Sequence, residues 1–130
     1  MTKRVLLCDD EMHILRAAEF KLKRDGFEVI CAENGEVAWE SILKQKPHVL
    51  VTDCQMPKLD GIGLVDRIRN HPEAADLPVL MLTAKSYELA EEVQRLDIIA
   101  VIAKPFSPRE LANKVAEVVE TGTLNGSKTL

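Results

Sequence analysis

The sequence predicts an α/β fold in which five parallel strands carry helices on both faces. Two observations carry that reading. The apolar runs Val5-Leu6-Leu7-Cys8, Val49-Leu50-Val51-Thr52, Val79-Leu80-Met81-Leu82 and Ile98-Ile99-Ala100-Val101-Ile102-Ala103 are short, rich in β-branched residues and unbroken. Strands buried on both faces look like this. The stretches between them repeat apolar residues at helical spacing. A third observation gives the fold a use: Asp9, Asp10, Asp53, Thr83 and Lys104 each sit where one of these runs gives out. The strand ends of a parallel sheet share one edge, and ligands bind in the crevice there.

Taken in order, the first strand covers about residues 4–8. A helix over 11–24 follows, with Ile14, Leu15, Ala18 and Leu22 on one stripe. Asp25-Gly26 ends it, glycine supplying a left-handed cap, and residues 27–32 form the second strand. Asn34-Gly35 turns the chain into a helix over 36–45 with Val37, Ala38, Ile42 and Leu43 as its apolar positions. Pro47 marks the entry to a strand over 48–52. A loop through Met56-Pro57 and Asp60-Gly61 leads to a helix over 62–70, with Pro72 beyond it. Strand four covers 79–82, a helix about 87–96, and strand five 98–103. The last helix has the fullest start signal. Ser107 is its N-cap, Pro108 its first residue and Glu110 the third position of a capping box, with Leu111, Val115, Val118 and Val119 as its stripe. One domain, residues 1–122, and a flexible tail, 123–130, are expected.

The 130 residues suffice for a core that needs no disulfide or metal staple, and 46% hydrophobic with 29% charged residues is ordinary for a globular domain. A net charge of −4 with no basic face argues against direct nucleic-acid binding. No apolar stretch approaches the roughly 20 residues of a membrane span, and Met1-Thr2-Lys3-Arg4 runs directly into a strand, so no signal peptide and no membrane association are expected. Cys8, Cys31 and Cys54 are odd in number, lack metal-type spacing and read as reduced core residues, which makes cytoplasmic localisation the expectation. Met12, Met56 and Met81 read as gap-fillers, Trp39 as a packing or surface residue of the second helix, and His13 as an exposed residue near the strand-end edge.

Three carboxylates converging on one edge repel one another unless a cation lies between them. Mg²⁺ suits them, being a hard ion that takes one to three protein oxygens and fills its shell with water and phosphate oxygens. Asp9, Asp10 and Asp53 are the candidate ligands. Lys104 is the counter-charge, able to pair with a carboxylate at rest and a phosphoryl oxygen after reaction, and Thr83 offers a hydroxyl. Asp53, the central carboxylate, is the candidate nucleophile of an aspartyl phosphate.

The pieces Val5-Leu6-Leu7-Cys8-Asp9-Asp10, Val51-Thr52-Asp53-Cys54-Gln55-Met56-Pro57-Lys58-Leu59-Asp60-Gly61, Leu82-Thr83-Ala84 and Ala103-Lys104-Pro105-Phe106 together resemble the response-regulator receiver domain of two-component signalling, over about residues 3–120. The resemblance implies a flavodoxin-like (βα)5 fold with strand order 2-1-3-4-5. It implies Asp53 as acceptor of a phosphoryl group from a histidine kinase or histidine phosphotransfer protein, and a downstream target protein for output. It also implies Mg²⁺ held by Asp9, Asp10 and Asp53 with the Gln55 backbone carbonyl, and a cis peptide at Lys104-Pro105. Two positions depart from the family's pattern: Val101 stands where an aromatic usually precedes the lysine by three residues, and Asp97 where glycine commonly precedes strand five.

The chemistry leaves other classes to weigh. A phosphorelay intermediate, or a receiver cut from a longer regulator, would share every feature above. A phosphohydrolase of the aspartyl-phosphate type needs a second acid two residues past the nucleophile, where Gln55 stands, so no separate substrate turnover is expected. A flavin carrier of the same strand order would wrap a phosphate in a Ser-, Thr- and Gly-rich first loop, and Asp-Asp-Glu would repel it.

Overall fold

The computed structural model describes residues 2–84 and 89–121. Strands β1 (Arg4–Cys8), β2 (Glu28–Ala32), β3 (Val49–Asp53), β4 (Val79–Thr83) and β5 (Ala100–Ala103) alternate with helices α1 (Met12–Arg24), α2 (Gly35–Lys44), α3 (Gly61–Arg69), α4 (Ala90–Arg95) and α5 (Pro108–Thr121). All strand pairs are parallel and the order is β2-β1-β3-β4-β5, as expected.

Strand alternation divides the core into two layers. Leu6, Cys8, Leu50, Val79 and Met81 point to the side of α2, α3 and α4, where they pack with Ala38, Ile42, Leu64, Val65, Ile68 and Val93. Val5, Leu7, Val49, Val51, Leu80, Leu82 and Ile102 face α1 and α5, meeting Leu15, Ala18, Leu22, Leu111, Val115 and Val118. Helix starts follow local chemistry: Asn34 accepts from the Val37 N–H at 3.0 Å, Asp60 from Gly63 at 2.8 Å and Ser107 from Glu110 at 3.0 Å.

Several expectations need correction. Val37 and Leu43 are exposed, because the narrow buried stripe of α2 is Gly35, Ala38 and Ile42. Cys31 is exposed rather than buried, since β2 is an edge strand that α1 covers only in part. Met12, on the open first turn of α1, is also exposed, while Met81 is fully buried. β5 begins at Ala100; Ile98 and Ile99 are buried ahead of it. The expected fourth helix begins at Ala90 rather than near 87; positions 87 and 88 lie outside the described residues, as does the whole tail 123–130.

Two glycines let the loops close onto the sheet edge. A Cβ on Gly61 would overlap the backbone carbonyl of Asp53, and one on Gly35 that of Leu59. Their N–H groups donate to Cys54 O at 2.9 Å and Leu59 O at 3.0 Å. The loop after β3 is thereby tied beside the end of its own strand.

Candidate functional site

The C-terminal ends of β1, β3, β4 and β5 carry the predicted residues to one cleft of about 530 Å³, lined by Asp10, Glu11, Asp53, Gln55, Met56, Thr83, Ala84 and Lys104. Asp53 and Thr83 are the last residues of their strands rather than the first beyond them, so the rigid sheet itself positions them. Carboxylate oxygens of Asp9, Asp10 and Asp53 lie within 4.8 Å of one another. Asp9 is buried and Asp10 exposed. The Glu11 N–H donates to Asp9 Oδ1 at 2.9 Å and fixes that carboxylate. Asp9 Oδ2 has no hydrogen-bond partner among the described residues, although the Lys104 ammonium lies 3.0 Å away as an ion pair.

Lys104 follows β5 through a cis Lys104-Pro105 peptide. Its Nζ contacts Asp9 Oδ2 at 3.0 Å, Glu11 Oε1 at 2.9 Å and Asp53 Oδ2 at 3.3 Å. Burial alone would favour the neutral amine, but the hydrogen bond to Glu11 and the close contacts and charges of Asp9 and Asp53 reverse this and hold the proton above the usual lysine range. The same contact holds the Glu11 carboxyl below its ordinary value. Asp53 moves the other way. Burial and then the charge of Asp9 push its carboxyl from 3.8 up to about 6, with Lys104 pulling against them.

This donor set fits a hard divalent cation. It is made of oxygen, it has more negative charge than one ammonium neutralises, and it includes a buried carboxylate oxygen lacking a hydrogen bond. The neighbouring thiols do not compete for the chemistry. Burial pushes Cys8 up to about 12, against a hydrogen bond from Thr52, and Cys54 packs partly buried against the α2–α4 core layer, so both serve packing.

Other expectations have a definite place. His13 is exposed on α1. Trp39 lies partly buried against the core, with the Arg67 guanidinium 5.7 Å from its ring centroid and the His71 ring edge-on at 5.4 Å. Asp97 takes φ 54°, the left-handed geometry a glycine usually supplies, in the turn before β5. Val101 is partly buried against the α2–α4 core layer. The sequence reading missed two residues. Glu11 looked like the start of a helix, yet its side chain caps nothing and reaches Lys104; its only signal was adjacency to Asp9-Asp10. Arg69, which the sequence does not single out, ends α3. It donates to four backbone carbonyls, those of Leu96 (2.7 Å), Leu77 (2.7 Å), Ala75 (3.0 Å) and Asp97 (3.2 Å).

Known proteins share this architecture. The response regulator receiver domain family matches residues 5–116. The alkaline phosphatase synthesis transcriptional regulatory protein PhoP of Bacillus subtilis is 38% identical over 92% of this chain and 49% of its own length. The probable transcriptional regulator ycf27 of Porphyra purpurea is 40% identical over 90% of this chain and 47% of its own. The chain thus spans about half the length of these curated relatives. Among solved structures, a response regulator from Chloroflexus aurantiacus superposes with TM-score 0.85 at 33% identity, covering 92% of this chain and 99% of that one. The chemotaxis response regulator CheY4 of Vibrio cholerae does so with TM-score 0.84 at 28% identity, covering 91% and 99%. Sheet order, strand-end chemistry and these matches agree: the chain belongs to the receiver domains of two-component response regulators.

Proposed function

We propose that Asp53 is the phosphoacceptor, that Asp9, Asp10 and Asp53 hold Mg²⁺ with the Gln55 carbonyl, and that the phosphorylated domain acts on a target protein. The observation that supports this most is the place of Asp53. Its carboxylate ends the central strand, faces an open cleft, and lies between two other carboxylates and the ammonium of Lys104. In the reaction an Asp53 oxygen forms a bond to phosphorus while the donor's bond to that phosphorus breaks, and the donor group departs with the electron pair. Bound Mg²⁺ would neutralise the carboxylates and the incoming phosphoryl oxygens. Lys104 and the Thr83 hydroxyl, both lining the cleft, would contact phosphoryl oxygens. A histidine kinase or a histidine phosphotransfer protein would supply the group, as receiver domains in general are supplied.

Turnover of a separate substrate is not part of this reading, since Gln55 offers no acid to a leaving group. The described residues contain no helix long and apolar enough to cross a membrane. Intact-mass spectrometry after incubation with acetyl phosphate and Mg²⁺ tests the assignment. Wild type should gain one phosphoryl group and Asp53→Asn none; equal labelling of the variant would overturn it.

A further inference from the structure

In this structure the Lys104 ammonium lies within 3.3 Å of three carboxylates, those of Asp9, Glu11 and Asp53, and donates a hydrogen bond to Glu11 Oε1 at 2.9 Å. The ammonium is therefore enclosed by carboxylates before any phosphoryl group arrives. For Lys104 to bind a phosphoryl oxygen, one partner must let go. Asp9 is poorly placed to do so, because its side chain is 1% exposed and its other oxygen accepts from the Glu11 N–H. Asp53 carries the new group and stays in place on its strand. Glu11 differs from both. Its side chain is 48% exposed and sits ahead of α1, yet it makes the shortest of the three contacts, 2.9 Å. It also lies outside the carboxylate cluster that could hold a metal, which consists of Asp9, Asp10 and Asp53.

We propose that Glu11 is a positioning residue that holds the Lys104 ammonium in the resting state and must be released when Asp53 is phosphorylated. The inference rests on the reading of Asp53 as phosphoacceptor and extends it. When an Asp53 oxygen bonds to the phosphorus of acetyl phosphate, acetate leaves with the electron pair and no proton moves. The site then carries a phosphoryl dianion in place of a carboxylate. Lys104 exchanges Glu11 for a phosphoryl oxygen, and Glu11 turns to solvent. Glu11 thus opposes phosphorylation by occupying the cation that the product needs, and its exposure makes the exchange a local side-chain rotation.

The test measures the rate of phosphoryl uptake from acetyl phosphate with saturating Mg²⁺. Glu11→Gln keeps the shape and loses the charge, and Glu11→Asp keeps the charge one methylene short of the contact. Both should take up phosphate faster than wild type, by about two- to fivefold, the size expected for losing one half-exposed ion pair. In a Lys104→Ala background the effect of Glu11→Gln should vanish, because the residue acts through the ammonium. Three results would overturn the role of Glu11: equal rates in wild type and Glu11→Gln, a wild-type rate in Glu11→Asp, or an undiminished effect without Lys104. The last two would make Glu11 a diffuse charge that repels the donor. No uptake even by wild type would instead overturn the Asp53 reading, and the proposal with it.

Discussion

Two cations, Lys104 and Arg69, stand at opposite edges of the sheet and show how one fold can be fixed at one edge and changeable at the other. At the C-terminal edge Lys104 is held by three side-chain carboxylates, and the exposed one, Glu11, can give way to another anion by rotating. At the N-terminal edge Arg69 donates to four backbone carbonyls in the segments entering β4 and β5. Those acceptors cannot leave without moving the chain. A planar guanidinium with five rigid donors suits the second task, and a compact ammonium on a flexible stem suits the first. Arg69 joins the end of α3 to the turn between α4 and β5, where Asp97 already holds a left-handed backbone. A change at the C-terminal edge therefore acts on elements whose far ends are pinned.

The largest effect expected from this contrast is on stability. Arg69→Ala removes the donor from four carbonyls, those of Leu96 and Leu77 in part-buried contacts and those of Ala75 and Asp97 in exposed ones, and should cost about 3 kcal/mol, since each acceptor left unsatisfied away from water costs roughly 1–3 kcal/mol. Urea unfolding would measure it, and added Mg²⁺ should not restore the loss. A loss of under half a kilocalorie or so, the usual scale of surface substitutions, would mean that water replaces the guanidinium and that the edge is not pinned.

Lys104→Ala should cost less, about 2 kcal/mol in metal-free buffer, for leaving the buried Asp9 charge uncompensated. Unlike the arginine variant it should recover stability when millimolar Mg²⁺ is added, because a divalent ion supplies the missing positive charge to the same oxygens. Identical Mg²⁺ responses of the two variants would erase the distinction between the two edges.

The smallest effect concerns wild type. An ion that binds only the native state should raise its stability by about 1.4 kcal/mol at ten times the dissociation constant. This gain should depend on pH. The folded-state pKa of Asp53 is raised from 3.8 to about 6, so in metal-free protein its contribution to stability is present below about pH 4 and is lost as pH rises through 6. The ion competes for the same carboxylate, so its stabilising effect should grow over that window. Calorimetric melting at pH 5 and pH 7, with and without Mg²⁺, would check it, and a gain that shrinks towards pH 7 would contradict the coupling.

The site was largely readable before the structure because its parts are strand ends. A buried parallel strand announces itself as an unbroken apolar run, and the residue that ends the run marks the sheet edge. Asp9, Asp53, Thr83 and Lys104 could be found on that basis alone. The last helix was equally legible, since Ser107, Pro108 and Glu110 act on one another within four residues. Surface assignments fared worse. Val37 and Leu43 have the composition of a buried stripe, but how wide a stripe a helix buries depends on the neighbours across it. Cys31 sits in an apolar strand, and only the position of β2 at the edge leaves it exposed.

The sequence by itself determined the alternation of strands and helices, the residues that meet at the active edge, and the departures at Asp97 and Val101. These follow from interactions within a few residues, where periodicity, capping and backbone preference operate. What the tertiary structure alone decided is which charges pair. Glu11 and Lys104 are 93 residues apart, and Arg69 reaches carbonyls up to 28 residues away. Neither contact leaves a periodic trace, because hydrogen bonds and ion pairs depend on distances of about 3 Å that only the folded chain sets.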